Sequence, residues 1–174
     1  MKSKLIILIS SFLFLFIFSS AFAQNKKERK AKRQKAYIEC LQLIEGGEFK
    51  FEAEKAYPQG GSSIDLTTNY GFIKISENKS LGDLPFFGRA YRVDYGADGG
   101  INFEGDILNE KLTRNDKKMK LTYTFEVKDK ETYTVIMEVF SKQSASTIIR
   151  TDSKAHISYS GQISELENEK SESE

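Results

Sequence analysis

The chain has 174 residues, 29% of them charged and 39% hydrophobic, with a formal charge of +1 and only one cysteine and one histidine. That length fits one domain able to bury roughly 68–70% of its unfolded surface, and it excludes collagen, coiled-coil arrays and multidomain enzymes. Near-neutrality removes the bulk electrostatic argument for nucleic acid as a partner.

Met1–Lys4 carries two lysines, Leu5–Phe18 is an almost unbroken apolar run, and Ala21-Phe22-Ala23 forms an A-x-A site ahead of Gln24. This is the pattern of a secretory signal peptide of bacterial type, cleaved near Ala23. The run is shorter than the ~20 residues that cross a bilayer. No cysteine follows it directly, so a lipid anchor has no acceptor. The expected product is a soluble monomer in the periplasm or outside the cell, not a lipoprotein. Its 151 residues carry 24 basic and 25 acidic side chains.

The mature chain opens on a basic stretch, Lys26–Lys35, in which only Ala31 is apolar. With no apolar face to sink between headgroups, such a stretch reads as a solvated helix start, touching a membrane at most peripherally. Ala36, Tyr37, Cys40, Leu41, Leu43 and Ile44 then recur at helical spacing, and Gly46-Gly47 supplies a stop. One amphipathic helix is therefore expected within residues 24–47, with Cys40 buried as a small hydrophobe.

After the glycines the period becomes two. Glu48–Tyr57 alternates, with Phe49, Phe51 and Ala53 on one face, and Pro58–Gly61 turns the chain. Ile64–Ser76 reads as a broken strand region, followed by Leu84–Tyr95 and Ile101–Leu112. Met119–Lys128 alternates most clearly, with Leu121, Tyr123, Phe125 and Val127 on the apolar face. Thr132–Phe140, Ser146–Thr151 and Ala155–Ile163 complete the set.

About eight short alternating strands over residues 48–164 predict a mainly β, antiparallel domain, as a small lipocalin-like barrel or a sandwich. The helix would pack outside the barrel or across one end. Glu165–Glu174, with five glutamates and no aromatic residue, reads as a disordered tail.

Few residues suggest chemistry. His156, the one possible imidazole base, has the parity opposite to Ile157 and Tyr159 and should face solvent. A histidine-rich zinc site is excluded by count. The glycine-rich Asp94–Asp106 resembles a calcium loop, but its twelfth position is Gly105 rather than a glutamate, so a hairpin turn explains it. No metal, cofactor or catalytic residue is expected. Asn78-Lys79-Ser80 fits a glycosylation pattern that a bacterial leader makes irrelevant.

The densest unusual segment is Leu84–Gly96, LPFFGRAYRVDYG. Pro85 and Gly88 bracket two phenylalanines, of which at least one ring must be buried. Read as a strand, the segment aligns Arg89, Tyr91, Val93 and Tyr95 on one face. An inward arginine needs a partner. Either it caps one barrel end structurally, or Arg89, Tyr91 and Tyr95 form a ligand-binding group at a barrel mouth.

The segments AYPQGG (Ala56–Gly61), NYGFIKI with Tyr70, LPFFGRAY (Leu84–Tyr91), GGINF (Gly99–Phe103) and ISYSGQI (Ile157–Ile163) together resemble domain-of-unknown-function family 4251 of exported bacterial proteins. The resemblance spans nearly the whole mature chain. It implies a small exported single domain and carries no activity and no site residues.

The preferred functional expectation is a non-enzymatic barrel that binds an apolar or amphiphilic ligand in the cell envelope. A structural or protein-interaction component of the envelope is the alternative. A carboxylate-dependent glycan hydrolase is the third reading, since such cleavage needs only two suitably spaced acids.

Overall fold

In a computed structural model the described residues are 26–92 and 99–166. The expected leader lies outside them, as does the expected tail beyond Leu166. The helix α1 covers residues 26–46. Its residues 26–35 belong to a first compact unit that ends at Lys35. Every side chain there is exposed, with Lys32 paired to Glu28 one turn earlier at 2.9 Å.

The second unit begins at Ala36 and holds nine strands: β1 (Glu48–Pro58), β2 (Ile64–Asp65), β3 (Gly71–Ser76), β4 (Lys79–Leu84), β5 (Ile101–Asn115), β6 (Lys120–Lys128), β7 (Thr132–Phe140), β8 (Ser144–Arg150) and β9 (Ile157–Glu165). All pairings are antiparallel. Eight strands follow one another from β1 through β3 to β9, and β9 pairs back on β1 from Phe49↔Glu165 to Pro58↔Ile157. The sheet is thus a closed eight-stranded barrel, with two-residue β2 continuing the β3 side of β1. Closure removes the sheet edges that an open meander would leave.

Alternation explains what fills it. Phe49, Phe51, Leu121, Phe125, Val127, Val135, Met137, Val139, Ile157 and Tyr159 are fully buried, while their sequence neighbours face outward. Each such aliphatic or aromatic side chain is worth roughly 1.5–3 kcal/mol on burial. Rings of Phe49, Tyr123 and Phe125 form a chain with centroids 6.0 and 5.2 Å apart, and Phe103 packs on Tyr133 at 5.0 Å. Eight strands enclose an interior just wide enough for side chains. Here apolar side chains line that interior, with the hydroxyls of Ser80 and Thr147 buried among them.

Two departures from strict alternation shape the barrel. Between Ala53 and Lys55 the β1–β9 register shifts, so Ala56 turns inward and Tyr57 outward. This bulge interrupts the clean alternation expected through Tyr57. The second lies in β5, where Asn109 at φ 53° opens a bulge between Leu108 and Lys111.

The expected strand Leu84–Tyr95 is not formed. The strand is instead Lys79–Leu84, and the chain leaves the sheet at Pro85, which has no N–H for a ladder. β4 turns Ser80, Gly82 and Leu84 inward and Leu81 outward, an inverted polarity. A Cβ on Gly82 would meet the Phe103 ring at 2.3 Å, so the facing phenylalanine occupies the space a larger residue would need.

One barrel end gathers the start of β1, the end of β9 and the hairpin tips β3–β4, β5–β6 and β7–β8. The part of α1 from Ala36 onward closes this end, realising one of the two expected packings. Tyr37, Cys40 and Ile44 are buried on the core cluster. The Tyr37 hydroxyl donates to Asp116 Oδ1 at 2.8 Å, Cys40 Sγ lies 3.6 Å from the Phe140 carbonyl, and Arg114 pairs with Glu45. Burial raises the Cys40 thiol pKa, so the sulfur stays protonated in its packed position.

Candidate functional site

The far end of the barrel is built from the segments that leave the sheet. Residues 85–92 cross it irregularly. Ala90 makes a single bridge to Lys154, the Tyr91 amide donates to the Ser153 carbonyl at 2.7 Å, and the Ala155 amide donates to the Arg89 carbonyl at 2.9 Å. From below, the Tyr159 hydroxyl donates to the Pro85 carbonyl at 2.8 Å. Glu131 fixes the opposite lip, accepting from the Ser153 hydroxyl at 2.6 Å and amide at 3.0 Å. Leu66, fully buried, plugs the remaining side, its amide donating to the Glu54 carbonyl at 2.8 Å.

Of the two adjacent phenylalanines, Phe86 packs half-buried on the core, with the Lys154 ammonium 5.5 Å from its ring centroid, and Phe87 is exposed. Arg89 is exposed, and Tyr91 retains 63% of its surface. The inward face expected for them therefore does not exist: once Pro85 ends the strand, period-two parity no longer sets where residues 89 and 91 point. Tyr95 lies outside the described residues, as does most of the glycine-rich loop before Gly99. Arg89 and Tyr91 come to the same end of the barrel, on its outside.

Two aromatic side chains not singled out as site residues join them. Tyr57 ends β1 with its ring outward, its hydroxyl 3.3 Å from Ser160 Oγ, and Tyr70 precedes β3 with 75% of its surface exposed. For Tyr70 the sequence signal was there, since it follows the turn residues Thr67-Thr68-Asn69, where no alternation buries a ring; Tyr57 shares the parity of Phe49 and Phe51, and only the bulge between Ala53 and Lys55 turns it outward. Tyr57, Tyr70, Phe87 and Tyr91, with Arg89 and the exposed Arg92, give this end aromatic surface beside fixed positive charge.

At the helix end a groove of about 450 Å³ is lined by Glu39, Leu43, Glu48, Glu165 and Leu166 among others. The Glu48 carboxylate accepts from the Glu77 amide at 2.9 Å and the Ser76 hydroxyl at 3.1 Å, holding the β3–β4 hairpin to β1. His156 is exposed, as its parity implied. Among the described residues no three His, Cys, Asp or Glu side chains gather as metal ligands, and no helix is long and apolar enough to cross a membrane. Asn78 stands in the β3–β4 turn, with Ser80 buried behind it.

The family model for a domain of unknown function, DUF4251, matches residues 31–163. The chain belongs to the DUF4251 family. The match begins within α1 and ends in β9, so it takes in the whole barrel apart from its last two strand residues. The chain is also similar to the crystal structure of a DUF4251 family protein from Bacteroides eggerthii, at 15% identity and a TM-score of 0.58, over 75% of this chain and 87% of that one. That likeness is one of fold. No curated protein matches the chain. Of the segments that carried the resemblance in the sequence, Ala56–Gly61, Leu84–Tyr91 and Gly99–Phe103 lie at the far end of this DUF4251 barrel, while NYGFIKI and Ile157–Ile163 start there and run along β3 and β9 toward the helix end.

Proposed function

We propose that the protein is an exported, non-enzymatic DUF4251 barrel that binds an apolar or amphiphilic ligand on the barrel end opposite the helix. The observation that carries this reading is the set of exposed aromatic side chains at that end, Tyr57, Tyr70, Phe87 and Tyr91. Exposed rings cost hydration that a bound apolar surface recovers, and ring faces with a polar handle are what amphiphilic contacts use. Arg89 and Arg92 beside them suit an anionic headgroup, because a guanidinium forks onto carboxylate or phosphate oxygens. The inward side chains of Phe49, Phe51, Phe103, Phe125 and Tyr159 are bulky and fully buried, so this reading puts the ligand at the barrel end instead of in the mouth-and-pocket arrangement expected from the sequence. Export rests on the leader, Met1–Ala23.

Native mass spectrometry and lipid extraction of protein freshly purified from a bacterial envelope test the reading. A ligand should copurify with the mature chain and be lost from the variant carrying Y70A, F87A and Y91A. Those exposed positions should leave the unfolding midpoint nearly unchanged. Equal ligand on that variant, or none on the unaltered chain, overturns the reading.

A further inference from the structure

β5 is longer than the strand beside it. β4 pairs only with Ile101 to Asp106, and the last contact on that side is the Ile107 amide donating to the Asn78 carbonyl at 2.7 Å. Beyond it β5 runs on through residues 108–115 paired to β6 alone, and among the described residues no strand covers its other edge. Its residues are open as well: every residue from 108 to 115 is exposed except half-buried Leu112. An otherwise closed barrel thus keeps one open edge, long enough for a strand.

We propose that this edge pairs antiparallel with the same edge of a second copy of the chain, about a twofold axis at Leu112. The free stretch itself sets the register. Centring on Leu112 brings Glu110, at the inner margin of the bulge, opposite Arg114 of the other copy, so the pairing ends at the bulge on one side and at the β5–β6 turn on the other. The side chains agree with this register. On the face shared with Tyr123, Glu110 comes opposite Arg114 of the second copy, twice by symmetry, with Leu112 opposite Leu112. On the outer face Lys111 comes opposite Thr113.

Directly opposed unlike charges stabilise a strand pair, and directly opposed like charges weaken it. Moving the axis one residue, to Lys111, would set two lysines against each other. Glu110 already accepts from the Tyr123 hydroxyl at 2.9 Å, and Arg114 already holds Glu45. Both are thereby oriented while retaining further oxygens and N–H groups for the second copy. The interface is isologous and closes on itself, and the Asn109 bulge stops the edge from extending into an open-ended sheet.

Sedimentation equilibrium on the mature chain, residues 24–174, tests the pairing by charge reversal. The unaltered chain should show a reversible monomer–dimer equilibrium. E110R alone and R114E alone should each weaken association by about tenfold or more. An equimolar mixture of the two should recover it as a one-to-one heterodimer, since E110R chains then face R114E chains with unlike charges at both positions. A variant that had simply misfolded could not give that recovery. A chain that stays monomeric up to roughly 1 mM overturns the proposal. So does association unaffected by either reversal, or a mixture that stays monomeric while both variants keep cooperative melting.

Discussion

Gly161→Ala is expected to lower the stability of the barrel by about 3 kcal/mol or more, beyond the usual overpacking cost of ~1–3 kcal/mol. At the β1 bulge, Ala53 pairs with Gly161 and Lys55 with Ser160, which draws the two backbones together. A Cβ on Gly161 would lie 1.8 Å from the Glu52 carbonyl oxygen and 2.8 Å from its carbon. These are backbone atoms, so no rotamer change relieves the overlap. β1 and β9 would have to separate, and they form the seam that closes the barrel. Gly46→Ala is the control: nothing lies within 4 Å of its added Cβ, and at the end of α1 alanine should be neutral or slightly stabilising. Urea unfolding compares the two. A Gly161→Ala protein as stable as the unaltered chain would mean the seam is not drawn closed at this point.

Tyr159→Ala should cost about 3–5 kcal/mol, the range for deleting a large buried aromatic side chain. Tyr159 is fully buried, and its hydroxyl ties residues 85–92 to the core through the Pro85 carbonyl. Tyr159→Phe keeps the ring and leaves that carbonyl without its donor, for about 1 kcal/mol. The pH dependence separates the two roles. Burial raises the pKa of Tyr159, and the same cause acts first on Tyr123 and Tyr37, each reinforced by a carboxylate that accepts a hydrogen bond from the phenol. For Tyr37 the rise is from 10.0 to about 12.

A phenol with a raised folded pKa holds its proton in a range where the unfolded chain has lost it. Its stabilisation is therefore complete below pH 10 and is lost as pH climbs toward 12 and beyond. Denaturant midpoints measured from pH 8 upward should fall steeply above 10, and Tyr159→Phe should make that fall shallower. A midpoint independent of pH through this range would contradict buried, hydrogen-bonded phenols.

Most of the barrel was legible because its inner face is large and apolar where its outer face is polar. In β6 that contrast is complete: Leu121, Tyr123, Phe125 and Val127 are buried between outward lysines, threonines and a glutamate, and in β7 Tyr133, Val135, Met137 and Val139 are buried while only Ile136 and Phe140 break the polar outer face. β4 was not legible, for a reason of packing. Phe103 on the next strand fills the space above Gly82, so β4 presents small residues inward and Leu81 outward, and its hydrophobic pattern vanishes.

The same limit displaced the candidate site. Period-two parity gives Arg89 and Tyr91 a face only along a continuing strand, and Pro85 has already ended it. The bulges at Ala53/Lys55 and Leu108/Lys111 escaped notice because they depend on how two strands approach each other, which no single segment records. Exposed rings such as Tyr70 were visible in the sequence. Their common position at one end of the barrel needed the topology.

On the proposed reading, the far end of this barrel, rather than its interior, meets an apolar or amphiphilic ligand. Amide NMR of the mature chain, titrated with dodecanoate below its micelle concentration, tests it most directly. Saturable shifts should cluster at residues 70–71, 86–92 and 153–156, around Tyr70, Phe87, Arg89 and Tyr91, while Phe125, Val135 and Met137 in the interior stay still. Shifts centred on those interior residues, or no saturable shift at the far end, would contradict the account.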